Sequence, residues 1–373
     1  MATVEHTFTA TIRETLAAEL GELSDEVLER SELVQYLNIK TRSANRGSKS
    51  RGSFANLYAI YVLVEDYLAG GFDRSGRYAN YDGARFTDLF RRQRELPFGE
   101  RLQNHALNSR LNEEYRKYFP TSQLVPIRRD LETSRYWINE RLLLVKTSSG
   151  DRNIARSVIS IIDTYIAAKR DSFDAFLEQC TQLETLDYAR SDEVMAFVLD
   201  LLRPNADARI FEVASFAIMK ASYQEQSIWI GPTREGVSEE ALLLFKTGRT
   251  NANDGGIDFV MRPVGRFFQV TETLDMRKYF LDIDKVQRFP ITFVIKSEES
   301  VERLRAMIEE HAWSLFPAER VVRRYMEAVE EIVNIPDLRE MLHHSAEAGR
   351  LGDVIREIAL QARVEFNLDP IDT

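Results

Sequence analysis

The run Ile291–Lys296, ITFVIK, constrains the fold most, because it is β-branched and apolar almost to its end, the pattern of a central strand. Its neighbours agree. Gly256–Arg262 and Arg266–Thr273 read as two strands around a Pro263-Val264-Gly265 turn, a hairpin signal. Asn205–Tyr223 reads as a buried helix, Ser227–Ile230 as a short strand and Met276–Gln287 as a helix. Residues 205–296 therefore read helix, strand, strand, strand, helix, strand, a compact α/β unit between helical segments, so that the whole chain is expected to be α+β.

The flanks read as helices. Thr9–Leu20 carries Ile12, Leu16 and Leu20 on one stripe, and Ser24 opens a second helix. Ser53 caps a helix bearing Phe54, Leu57, Tyr61 and Val64, which Gly70-Gly71 ends. A helix over about Gly99–Tyr118 is stopped by Pro120, Asn153–Leu183 is a long amphipathic stretch, and Ser191 opens a helix that Pro204 closes. From Glu298 onward the chain is expected to be helical again. This gives three regions: 1–195, mainly helical; 196–300, the α/β unit; and 301–373, a helical segment that could supply a dimer contact.

Charge is distributed unevenly. The chain of 373 residues carries a net charge of −10, yet Lys40–Arg129 holds 17 Lys/Arg against 9 Asp/Glu. The densest stretch, KTRSANRGSKSR from Lys40 to Arg51, has five positive charges and no negative one. Side chains on such a Gly/Ser-rich loop can follow a polyanion and release its counterions, although a solvated linker has the same composition. The acidic total argues against indiscriminate coating of nucleic acid and permits one focused basic surface. A single cysteine, Cys180, excludes an internal disulfide framework and fits a reducing compartment. None of the five histidines stands at zinc-finger spacing from it. The opening residues lack the pattern of a secretory signal, and no apolar run reaches membrane-spanning length, so a cytoplasmic location without a membrane partner is expected.

Three features of the α/β unit carry chemistry. Glu212 is the only charged residue between Ile210 and Met219, on a helix apolar all round. A carboxylate there needs a partner, be it a metal ion, a hydrogen-bond donor or a cation such as Arg209. Asp258 stands near the start of a strand, after Asp254-Gly255-Gly256, and alternates with Ile257 and Phe259. On the partner strand Gln269 and Thr271 share one face and could stand beside Asp258, with Glu272 at the strand end. Oxygen-bearing side chains converging at a sheet edge suit a hard cation such as magnesium, which could polarise a phosphodiester. An ordinary polar-faced hairpin would have the same pattern.

The stretches ARIFEVASFAIMKASY (Ala208–Tyr223) and LLFKTGRTNANDGGIDFVMRPVGRFFQVTET (Leu243–Thr273) resemble those of type II restriction endonucleases of the PD-(D/E)XK nuclease superfamily. KSRGSFANLYAIYVLVEDYL (Lys49–Leu68) also looks like such enzymes. The resemblance implies a restriction-endonuclease-like core, a mixed sheet flanked by helices, and site-specific hydrolysis of double-stranded DNA with Mg²⁺. It implies Glu212 as the helix acid, Asp258 as the principal metal ligand and Gln269 at the Glu/Gln position. Thr271 stands where the family usually has lysine. Lys246 or Lys278 could supply a migrated ammonium, Glu272 could act as an alternative carboxylate and metal ligand, or catalysis could have been lost with the fold retained. A structure-selective repair or recombination nuclease, and a non-catalytic DNA-binding protein, are the competing readings.

Reading a DNA sequence needs base contacts as well as phosphate contacts. Asn104, Asn108 and Leu111 are spaced to share one helix face, with Arg110 beside them, and Asn and Gln pair with adenine as Arg does with guanine. In the basic loop Ser43, Asn45 and Arg46 are further candidates for base contacts, and Lys40, Arg42, Lys49 and Arg51 for phosphate contacts. A palindromic target matches a twofold-symmetric protein, so a homodimer is expected. A cognate DNA methyltransferase is expected in the same prokaryotic genome, not as a bound subunit.

Overall fold

The computed structural model describes residues 4–42, 50–100, 102–184, 191–247, 257–272 and 275–366. The chain is α+β and divides into two compact units, Met1–Asp174 and Ala175–Thr373.

In the first unit α1 (Thr7–Leu20), α2 (Ser24–Arg30) and α3 (Glu32–Thr41) precede α4 (Ser50–Ala69). His6 and Thr9 form a reciprocal cap on α1, and the Ser31 hydroxyl accepts from Val34 N to start α3. Residues 54–64 of α4 are all buried, so this helix is covered on every side. Gly71, at φ +67°, follows the end of α4 in a left-handed conformation that few other residues adopt cheaply. Then come α5 (Phe72–Ser75), β1 (Ala84–Arg85), α6 (Phe86–Glu95) and α7 (Leu111–Tyr118), the last entered through a π turn over Ala106–Arg110. Strands β2 (Ile127–Asp130) and β3 (Arg135–Ile138) join β1 in a three-stranded sheet of order β1-β3-β2. After α8 (Glu140–Leu143), β4 (Leu144–Thr147) and β5 (Gly150–Asn153) form a separate hairpin. The region expected to be helical thus contains five strands of two to four residues, too short to impose a visible period on the sequence. Helix α9 (Ala155–Glu184) contains the unit boundary.

The second unit runs α10 (Ser191–Leu201), α11 (Ala208–Tyr223), β6 (Ser227–Ile230), β7 (Ser238–Ala241), β8 (Leu243–Lys246), β9 (Phe259–Arg262), β10 (Arg266–Thr271), α12 (Met276–Lys285) and β11 (Ile291–Ile295). It closes with α13 (Val301–Leu315), α14 (Glu319–Ala328), β12 (Val329–Val333), α15 (Ile335–Glu347) and α16 (Leu351–Phe366). Five strands form a mixed sheet of order β12-β11-β10-β9-β8, antiparallel from β8 to β10 and parallel from β10 to β12. Every residue of β11 is buried, as its apolar run requires. Val294 and Phe268 belong to a core with α11, α15 and α16, whereas Ile291, Phe293 and Ile295 belong to one with α12, α13 and α14. Alternation along the strands sends these side chains to opposite faces.

Two expectations are corrected. Ser227–Ile230 pairs only with β7, in an exposed two-stranded ribbon, and the strand beside the hairpin is Leu243–Lys246. The segment after Glu298 is not wholly helical, because β12 adds to the sheet parallel to β11. The division into compact units falls at 174/175, beside the boundaries expected near 195 and 300. Val194 and Val198 join the core around α11, and 301–373 completes the same sheet unit. Leu338, Leu342, Val354 and Ile358, from the helices expected to supply a dimer contact, are buried against that core. No helix among the described residues is long and apolar enough to cross a membrane.

Candidate active site

The polar end of the sheet forms where four strand ends and one helix start converge. The Asp207 carboxylate caps α11 by accepting from Arg209 N at 2.7 Å. One turn in, Glu212 is buried, and Lys246 at the carboxyl end of β8 reaches it with Nζ 2.9 Å from Oε1. A lysine is thus one partner of the buried acid: their mutual attraction offsets the desolvation that either charge would suffer alone. The sequence signal was a lone acid on an apolar helix; its partner, 34 positions on, had no local signature.

Asp258 immediately precedes β9. Its N–H donates to Phe268 O at 2.9 Å, and its carbonyl accepts from Thr247 N at 3.0 Å, next to Lys246. Its Oδ2 accepts from Val270 N at 2.7 Å. The register pairs Phe268 with Phe259, so Val270 lies beyond the last residue of β10 that β9 pairs. A strand N–H points within the sheet plane, so the Asp258 carboxylate fills the place a continued β9 would occupy and sits at the sheet end rather than on either face.

Gln269 Nε2 donates to Val270 O at 3.2 Å, while its Oε1 is buried with no hydrogen-bond partner among the described residues. An acceptor held out of water without a donor costs about 1–3 kcal/mol. A hard cation is one partner that would satisfy that oxygen. The Thr271 hydroxyl is hydrogen-bonded to the buried Tyr279 phenol on α12, whose pKa burial pushes up. Position 271 thus supplies no cation and ties β10 to α12.

Lys296, not singled out in the sequence, supplies the second ammonium of this end. Its side chain is 3% exposed, with Nζ 3.9 Å from Glu272 Oε2. Nζ also donates to Ala206 O and lies 5.6 Å from the Phe211 ring centre, so Lys296 fastens the start of α11 to the end of β11. Burial lowers its pKa below the ordinary value, against the opposing pull of Glu272 and Asp207. The available signal was a lysine closing an otherwise apolar strand. Lys278 is exposed on α12.

Two of the three carboxylates expected at a metal have lysine partners. Glu212 lies 2.9 Å from Lys246, Glu272 lies 3.9 Å from Lys296, and no group of three His, Cys, Asp or Glu converges among the described residues. Asp254, Gly255 and Gly256 lie outside the described residues.

The residues expected to touch DNA are in the first unit. Ser43, Asn45, Arg46 and Lys49 lie outside the described residues, as does the side chain of Arg51 in the first turn of α4. Lys40, expected at a phosphate, has an internal partner: its Nζ is 2.6 Å from Glu114 Oε1 and its side chain is 11% exposed. Glu114 Oε2 also accepts from Asn56 at 2.8 Å, so the lysine completes a buried network. Arg42 and Arg110 are exposed. Of the residues expected on one helix face, Leu111 is fully buried, Asn108 accepts from the Tyr136 hydroxyl at 3.2 Å, and Asn104 is half-buried. The π turn shifts the side chains from the straight-helix spacing that the expectation assumed.

Comparison with protein-family models, with curated proteins and with solved structures finds no match to this chain.

Proposed function

We propose that the protein is a Mg²⁺-dependent endonuclease that cuts double-stranded DNA at a specific sequence, a type II restriction enzyme built on a PD-(D/E)XK-type core. The observations that carry this reading are the Asp258 carboxylate held by Val270 N at the sheet end and the orphaned Gln269 Oε1 on the adjacent strand. The order α11, β8, β9, β10, α12, β11 around a mixed sheet supports it.

In this reading Asp258 and Gln269 hold Mg²⁺, which when bound polarises the phosphodiester and stabilises charge on the leaving oxygen. The Val270 N–H fixes the Asp258 carboxylate, so no rotamer has to be frozen when the metal arrives. Glu212 holds the Lys246 ammonium at 2.9 Å, and Lys246 orients an attacking water. Lys296 fastens α11 to β11 and contributes positive charge facing the phosphate chain. The enzyme acts as a homodimer in a prokaryotic cytoplasm whose own DNA a cognate methyltransferase protects.

The test is incubation with unmethylated phage DNA and Mg²⁺, followed by sequencing of the fragment ends. Discrete ends at one sequence, lost with chelator and in Asp258→Ala, are expected. Ends clustered at branches or junctions would make it a structure-selective nuclease. Tight, salt-sensitive binding without metal-dependent hydrolysis at any pH would leave a non-catalytic DNA-binding protein, the reading that the engagement of Thr271 by Tyr279 favours.

A further inference from the structure

Helix α7 and strand β2 of the first unit adjoin through a reciprocal pair of bonds. The Asn112 amide donates to Ile127 O at 2.8 Å, and its carbonyl oxygen accepts from Ile127 N at 3.0 Å. The π turn before α7 is tied to the same sheet, since Asn108 accepts from the Tyr136 hydroxyl at 3.2 Å and Tyr136 pairs with Arg129 in the register of β3 and β2. Five exposed cations surround this joint: Arg110 at the end of the π turn, Arg116 and Lys117 on α7, and Arg128 and Arg129 on β2. Arg116 lies one turn from Asn112 on the same side of the helix, and the two β2 arginines directly follow Ile127. The spacing along a helix and a strand attaches all five within about 10 Å of Asn112 or Ile127.

Their lack of partners sets them apart. Elsewhere in the unit Arg13 is paired with Glu5 and Asp25, Arg91 with Asp88, Arg92 with Glu65 and Arg156 with Asp73. None of the five has an ion pair or a side-chain hydrogen bond among the described residues. The acids of the two elements offset them little. Glu114 is bound by Lys40 and Asn56, and Asp130 accepts from the Thr133 hydroxyl at 2.7 Å, which leaves Glu113 as the exposed acid with no partner among the described residues. Like charges this close repel one another, a cost to the folded chain that an anionic partner removes.

The surroundings narrow the kind of polyanion. Neither α7 nor β2 presents an exposed large apolar side chain, which entry into a lipid surface would need. Neither presents an exposed aromatic ring on which an unpaired base would stack. Cations alone match the phosphates along a duplex. We infer that the α7–β2 surface is a docking site for the sugar-phosphate backbone of duplex DNA, held by these five side chains. The choice of DNA rests on the nuclease reading, whereas the docking itself needs neither the metal nor hydrolysis.

The experiment is fluorescence anisotropy of the full-length chain with duplex DNA of arbitrary sequence, across a salt series and in chelator so that no cleavage intervenes. The variants are Arg116→Gln with Lys117→Gln, Arg128→Gln with Arg129→Gln, and the four combined. Arg91→Gln is the exposed control outside the surface. Each pair is expected to lower the slope of log K against log salt by about two, and the four together to weaken binding about a hundredfold or more at low salt. Arg91→Gln is expected to bind as the parent does. Thermal melts of the α7 and β2 variants are expected to match the parent, because the replaced side chains are exposed and unpaired among the described residues. Unchanged slope and affinity in the fourfold variant, or an equal loss in Arg91→Gln, overturns the inference. Binding to vesicles of anionic phospholipid with none to duplex DNA overturns it as well. A parent that binds through these residues but cuts nothing with Mg²⁺ keeps the docking site and removes the nuclease. Discrete cutting by a fourfold variant that binds normally does the reverse.

Discussion

Glu212 and Lys246 meet at 2.9 Å with side chains 8% and 9% exposed, which joins the buried face of α11 to the carboxyl end of β8. Removing one charge leaves the other buried and unpaired. Lys246→Met is therefore expected to destabilise the protein by about 3–5 kcal/mol. The apolar double substitution Glu212→Leu with Lys246→Met is expected to return to within about 1 kcal/mol of the parent. Urea denaturation of the three proteins measures this. A double variant no more stable than Lys246→Met alone would show that the pair is not the partnership described. Both variants are expected to lose DNA cleavage.

Gln269 separates stability from activity. Its buried Oε1 lacks a donor among the described residues, so Gln269→Leu should relieve an unsatisfied acceptor and stabilise the fold by about 1 kcal/mol. The same change removes a proposed magnesium ligand, and cleavage is expected to fall by about two orders of magnitude, the equivalent of about 2.7 kcal/mol. Thermal melts and plasmid cleavage, read side by side, check the opposite signs. A destabilised Gln269→Leu that cuts normally would refute both halves.

Lys296 should leave a signature in the alkaline limb of stability. Burial holds its pKa in the folded protein below the ordinary 10.5. Below the folded value it is protonated in both states, and the cost of burying its charge is fully present. Between the folded value and 10.5 the unfolded chain binds more protons, so this residue's contribution to stability rises with pH across that window. Melting temperatures of the parent and of Lys296→Met are expected to converge, or the parent to gain, as pH climbs toward 10.5. A difference independent of pH would mean that the lysine's pKa is not depressed.

Lys40 and Arg42, two residues apart, are expected to behave in opposite ways. Lys40→Met strips Glu114 of its cation and should cost about 1–3 kcal/mol of stability while leaving DNA affinity unchanged. Arg42→Ala, at an exposed position, should leave stability unchanged and lower the salt dependence of DNA binding by about one counterion. Filter binding across a salt series, with a melt for each variant, distinguishes them.

Much of the second unit was legible before folding because its elements announce themselves locally. The all-apolar strand at 291–295, the Pro263-Val264-Gly265 turn between β9 and β10, and the apolar stretch of α11 each carry a pattern within ten or so residues. Ser227–Ile230 has the same local signal as a sheet strand, and only the competition for pairing assigned it to β7 while β8 took the place beside β9. Strand β12 was missed because Val329–Val333, VEEIV, follows directly on α14 and contains two glutamates, so nothing in its own composition separates it from the helix.

The candidate site divides along the same line. Residue identity and spacing selected Glu212, Asp258 and Gln269, since an acid on an apolar helix and polar groups alternating along a hairpin are patterns of short range. Which charges neutralise one another was decided by tertiary contact. Lys246 reaches Glu212 across 34 positions, Lys296 reaches Glu272 across a parallel strand pair, and Lys40 turns inward to Glu114 across 74. Local periodicity reports which face of an element an atom belongs to, whereas an ion pair depends on separations of a few ångströms between elements, and those are set only when the cores on the two sides of the sheet, and around α4, close.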